Sequence, residues 1–203
     1  MSHCTKFDFQ YTNRKIIFNT FEALGLKCEH SLVASFSSVW EKKLGINATD
    51  QTPAIIAESN GFNYFMLNCG SHYELFIEKH NMTTEEARIS KKMADEFQKA
   101  YLEETVKEAV KQLTASGQTA LWEKDKNGYV IKFGALYDKT IYVKLNGKKT
   151  VEEAVVGVKG PSCVSLTEAI ENMLSSAEVE LNSEWTKEYY QEETDNLEIY
   201  ELN

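Results

Sequence analysis

Short stretches in which apolar and polar residues alternate make up much of the chain, interrupted by segments with helical spacing. Lys6 to Tyr11 places Phe7, Phe9 and Tyr11 on one side, which predicts a half-buried strand. Asn13 stands where a helix cap is needed, and Ile17, Phe21 and Leu24 form one stripe that Gly25 can end. Between Lys27 and Asp50 the only pattern is the helical spacing of Phe36, Val39, Trp40 and Leu44, with Gly45 as a stop. From Thr52 the period falls to two. Ala54 to Ala57, Tyr64 to Leu67 and Tyr73 to Ile77 read as three strands. Ser59-Asn60-Gly61 and Cys69-Gly70-Ser71-His72 are the turns between them, so an antiparallel meander is expected.

A long helix follows. Thr83-Thr84-Glu85-Glu86 is a capping box, in which hydroxyl and carboxylate each satisfy a backbone N–H that the first turn leaves unpaired. Its apolar stripe reads Ile89, Met93, Phe97, Tyr101, Val106, Ala109 and Leu113, ending near Gly117. Gln118 to Glu123 and Tyr129 to Phe133 read as a hairpin. The pattern breaks around Ala135 to Lys139, which divides the chain into residues 1–136 and 137–203. The second part offers strands at Thr140 to Leu145 and Thr150 to Val158, then a helix that a second box, Ser165-Leu166-Thr167-Glu168, opens. Its buried stripe is Leu166, Ile170, Met173 and Leu174, and Leu197 to Leu202 reads as a closing strand. The expected fold is α+β: an antiparallel sheet with a long helix packed on it, followed by a small ββα module.

The 203 residues are enough to bury a core without disulfides or metals. A formal charge of -9 is a poor electrostatic footprint for a phosphate backbone or an anionic lipid surface, so neither nucleic acid nor membrane is expected as a partner. No run of about eighteen apolar residues is present, which excludes a helical membrane span. The opening Met1-Ser2-His3-Cys4-Thr5-Lys6 has no secretory pattern, and a cytoplasmic location with reduced Cys4, Cys28, Cys69 and Cys163 is expected.

Candidate chemistry is sparse. Gly157-Val158-Lys159-Gly160-Pro161-Ser162-Cys163 joins a strand to a helix. Such a turn can present backbone N–H groups to a phosphate or nucleotide, with Gly157, Lys159, Gly160, Ser162 and Cys163 as the ligand-binding set. It matches neither the P-loop nor the dinucleotide fingerprint, and the competing reading is a tight turn with a serine cap. Cys163 at a helix start is either a reactive thiol or a small buried side chain. His3, Cys4, Cys28, His30, Cys69 and His72 are borderline or soft ligands. A zinc site at His3, Cys28 and His30 is the minor reading, and side chains that hold no metal the favoured one, because no Cys-x-x-Cys pair supports a site. No catalytic constellation is legible. The glutamate-rich tail interleaves Trp185, Tyr189 and Tyr190, a composition suited either to a basic groove on a protein partner or to packing within the core.

Two family resemblances follow from these residues. Met1-Ser2-His3, Leu24-Gly25-Leu26, Asn60-Gly61-Phe62, Tyr73-Glu74-Leu75, the helix with Tyr101 and Val106-Lys107-Glu108-Ala109, and Asn127-Gly128-Tyr129 resemble the Domain of Unknown Function 1257 family, which includes a chloroplast hypothetical protein. Asn146-Gly147, Val151-Glu152-Glu153, Gly157 to Cys163, Thr167-Glu168-Ala169-Ile170 and Thr186-Lys187-Glu188-Tyr189-Tyr190 resemble the Domain of Unknown Function 2997 family. The resemblance implies two modules that act together, with an AAA-type ATPase as a partner, and it transfers no catalytic residue. The segment Ser31 to Asp50 and the fusion itself depart from the family patterns. A non-catalytic binding or adaptor protein is the expected function, and a phosphate- or nucleotide-binding protein or enzyme is the alternative.

Overall fold

The computed structural model describes residues 3–32, 53–79, 81–126, 128–147, 150–158, 162–175 and 182–185. The architecture is α+β, built on two antiparallel sheets rather than one. Strands β2 (Cys28–Leu32), β3 (Pro53–Ser59), β4 (Phe62–Asn68) and β5 (Tyr73–Glu78) form a four-stranded meander in that order. The other sheet has six strands. They are β1 (His3–Asp8), β6 (Ala120–Asp125), β7 (Gly128–Phe133), β8 (Lys139–Asn146), β9 (Thr150–Val156) and β10 (Asn182–Trp185), in the order β10-β1-β9-β8-β7-β6. The three described helices are α1 (Arg14–Ala23), α2 (Thr84–Ala115) and α3 (Ser162–Leu174).

Local chemistry explains the helix ends. Asn13 Oδ1 accepts from the Ile16 N–H and caps α1. The Thr83–Glu86 capping box opens α2: Thr83 Oγ1 accepts from the Glu86 N–H at 3.2 Å, and Glu86 accepts from the Thr83 N–H at 2.9 Å. A hydrogen bond from Lys79, joined by those from Thr83, holds the Glu86 carboxyl down to about 2. At the far end Gly117 takes φ +88°, and the Gln118 N–H returns to the Leu113 carbonyl, the six-to-one bond of a Schellman stop. α3 departs from expectation, because it begins at Ser162. The Ser165–Glu168 box therefore lies inside its first turns and does not cap it.

The core forms where α2 meets both sheets, with α1 and α3 against it. Phe21, Phe97 and Tyr101 are fully buried, and edge-on ring contacts link Phe21 to Phe97 at 4.9 Å and Tyr11 to Tyr101 at 5.0 Å. Each such ring contributes about 1.5–3 kcal/mol by leaving water. The apolar stripe on α2 is shorter than its periodicity suggests. Ile89 is 41% exposed, and full burial along the helix begins at Phe97. Leu24, expected on the stripe of α1, is likewise exposed at the helix end. The segment 33–50, with its Phe36 to Leu44 spacing, and the closing strand expected at 197–202 lie outside the described residues.

Candidate functional site

The C-terminal segment is built into the body of the fold. The break at 136/137 falls between β7 and β8, which are hydrogen-bonded neighbours with Ile131 opposite Ile141. On its other side β9 pairs with the N-terminal β1, so that Glu153 stands opposite Thr5 and Val151 opposite Phe7. The end of α3 is held in the same way. A helix leaves its last carbonyls without intrahelical donors, and here residues from the first two-thirds of the chain supply them. Thr12 Oγ1 donates to the Asn172 carbonyl at 2.9 Å, the Tyr101 hydroxyl to the Met173 carbonyl at 2.8 Å, and the Gln10 N–H to the Leu174 carbonyl at 2.6 Å. The Tyr101 oxygen also accepts from the backbone N–H groups of Thr12 and Asn13, at 3.2 and 3.0 Å. Burial above all pushes its phenol up to about 12. One hydroxyl thus ties α2 and the β1–α1 connection to α3.

The glycine turn after β9 has a structural explanation at its first position. Gly157 takes φ +81°, and a Cβ there would collide with the backbone carbonyl of Asp138 in the β7–β8 connection. Only glycine allows that approach. Gly157→Ala is expected to lower stability by at least about 1–2 kcal/mol, the cost of a side chain in the left-handed region, before the collision is counted; urea denaturation measures it. Ser162 and Cys163 form the first residues of α3, whereas Lys159 and Gly160 lie outside the described residues.

Beneath this turn lies a feature that periodicity did not single out. β9 turns Val151, Glu153 and Val155 inward, and all three are fully buried. Neither carboxylate oxygen of Glu153 has a hydrogen-bond partner. Burial pushes its carboxyl well above the ordinary range, and the nearby Glu171 on α3 pushes it the same way. Thr167, one turn before Glu171, is also fully buried. An ionised carboxylate in such a place costs several kcal/mol, so the group keeps its proton. Strand alternation offered one clue, since Glu153 has the same parity as Val151 and Val155.

The residues considered for zinc stand on two sheets. His3 is on β1 of the six-stranded sheet, while Cys28 and His30 are on β2, at the edge of the other. His30 rests on the Phe18 ring, 5.0 Å between centroids, and is hydrogen-bonded to Arg14, whose cation is a poor neighbour for a metal. Cys28 packs against the core, and burial raises its thiol pKa. Trp185 ends β10, the edge strand paired with β1, and Tyr189 and Tyr190 lie outside the described residues. The surface does show large apolar side chains elsewhere. Leu136 is 86% exposed and Tyr137 42% in the β7–β8 connection, and Leu121 on β6 and Tyr142 on β8 are exposed on the sheet itself.

The fold and its interior define a two-sheet α+β protein. Comparison with known families adds one finding: residues 146–190 match the model of a protein of unknown function, DUF2997. The match takes in β9, α3, β10 and the glycine turn, and with them the buried Glu153 and Glu171. No curated protein and no solved structure matches the chain. No described helix is long and apolar enough to cross a membrane.

Proposed function

We propose that the chain is a non-catalytic adaptor of the cytoplasm that binds a protein partner, an AAA-type ATPase. In this reading residues 1–136 are a 1257-like module, and the 2997-like module is joined to it in one sheet so that both act as a single docking body. The observation that supports the reading most is the set of exposed apolar side chains, Leu136 and Tyr137 at the junction of the two segments and Leu121 and Tyr142 on β6 and β8. Exposed aromatic and aliphatic side chains within a charged surface are the usual anchors of a protein interface. The chain's formal charge of -9 would speed encounter with a basic partner.

Affinity capture with the full chain as bait, read by quantitative mass spectrometry, is expected to enrich an AAA-type ATPase. A Leu136→Asp, Tyr137→Asp double substitution should lower that enrichment about tenfold, the scale of one interface hot spot. Neither side chain is buried, and Asp tolerates the positive φ of 53° at position 137, so the fold should be unaffected. A wild-type bait that enriches no ATPase overturns the partner, and a double variant that captures equally well overturns the surface.

A further inference from the structure

We propose that the β4–β5 turn is a binding site for a single soft divalent cation, of the zinc class, held by Cys69, His72 and Glu74. The thiol, imidazole and carboxylate donor atoms lie within 4.8 Å of one another, and they form the group of potential metal ligands found among the described residues. The backbone brings them together by identifiable means. Asn68 Oδ1 accepts from the Gly70 N–H at 2.8 Å, and the Cys69 N–H donates to the His72 carbonyl at 2.9 Å. Gly70 makes the reversal with φ +97°. This closes the turn and sets Cys69 beside His72. Glu74 follows His72 by two residues, where strand alternation returns a side chain to the same face.

The spacing suits a tetrahedral ion. Nitrogen, oxygen and sulfur donors on zinc sit about 3.3–3.6 Å from one another, given bond lengths of about 2.0–2.3 Å. His72 Nε2 and Glu74 Oε1 are 3.7 Å apart, so a small movement suffices. Ser71 Oγ lies 3.3 Å from His72 Nδ1, which fixes the ring and leaves Nε2 to face Glu74. Such outer partners commonly orient metal-binding imidazoles. Cys69 is exposed and carries no disulfide, so its sulfur is open to an ion, which displaces the thiol proton as it binds.

The surroundings favour a cation. His72 and Glu74 line a cleft of about 570 Å³ between the β1–α1 connection, β5 and α2. Its other charged lining residues are Asp8, Asp95 and Lys91, an acidic balance. Three protein ligands leave a fourth position for water or a further ligand, the pattern of an open site rather than a closed structural one.

The test is a titration of the full chain, stripped of metal, with cobalt(II) and then with zinc against a chromophoric chelator. One ion per chain is expected, with a near-ultraviolet thiolate-to-cobalt charge-transfer band. Cys69→Ser should abolish that band, and His72→Ala or Glu74→Ala should weaken zinc binding about tenfold or more. Cys28→Ser should leave both unchanged. Because the turn is exposed, circular dichroism of Cys69→Ser should match the wild type, which separates lost ligation from lost folding. Absence of the charge-transfer band in the wild type, or its persistence in Cys69→Ser, overturns the proposal.

Discussion

Tyr101→Ala is expected to lower the stability of the chain by about 3–5 kcal/mol in urea denaturation, the range for truncating a large core aromatic. Tyr101 is fully buried, with Tyr11 and Phe9 against it edge-on. The more informative variant is Tyr101→Phe, which keeps the ring and removes one oxygen. It leaves the Met173 carbonyl without its donor and the Thr12 and Asn13 N–H groups without their acceptor. A cost of about 1–3 kcal/mol follows from unsatisfied buried groups. The loss should not be confined to α2. Amide exchange should speed up at the end of α3 and around residues 10–13 as well, because the hydroxyl joins all three. If Tyr101→Phe matches the wild type in stability and exchange, the joint is not held through that oxygen.

Glu153 should make the protein less stable as the pH rises, which is opposite to the behaviour of a salt-bridged carboxylate. In the folded chain its carboxyl is raised well above the ordinary value, by burial first and by Glu171 second. In the unfolded chain it titrates near 4.5. Below that pH both states hold the proton, and the group has no effect on the slope. Above it the unfolded chain releases a proton that the folded chain retains, so unfolding gains about 1.4 kcal/mol per pH unit until the folded value is reached. Glu153→Gln keeps the shape and cannot ionise. Its stability should match the wild type near pH 4 and exceed it by a growing margin as the pH rises above the unfolded value. Parallel curves for the two proteins across that range would sink the assignment.

Much of the local structure was legible because it is decided by residues close in sequence. The caps at Asn13 and Thr83–Glu86, the stops at Gly25 and Gly117 and the meander through Asn60-Gly61 all depend on neighbours within about six positions, and each is found where expected. The 2997-like resemblance, carried by residues such as Gly157 and Thr167, is matched over 146–190. Two expectations failed. A Ser-x-x-Glu pattern caps a helix only if the chain enters there, and the chain enters α3 earlier, at Ser162. Ile89 has the right period for a core stripe but stays 41% exposed in the N-terminal part of the helix.

Pairing partners and sites depended on contacts between distant residues. Alternation marks a strand without naming its neighbour, so β1 could not be assigned beside β9 and β10, more than a hundred residues away. That pairing puts the two segments into one sheet and places Glu153 in the interior. It also sends His3 to a different sheet from Cys28 and His30. Cys69 and His72, by contrast, are joined by a four-residue turn. Their closeness was visible in the sequence, but Glu74 as third ligand and the acidic cleft beside it needed the folded strand and helix. Composition, caps and turns therefore determined the class of fold and its elements, since they express short-range backbone chemistry. Which carboxyl is buried, which donors converge and which apolar side chains remain in water were decided by the tertiary structure, because burial and proximity are properties of the packed chain.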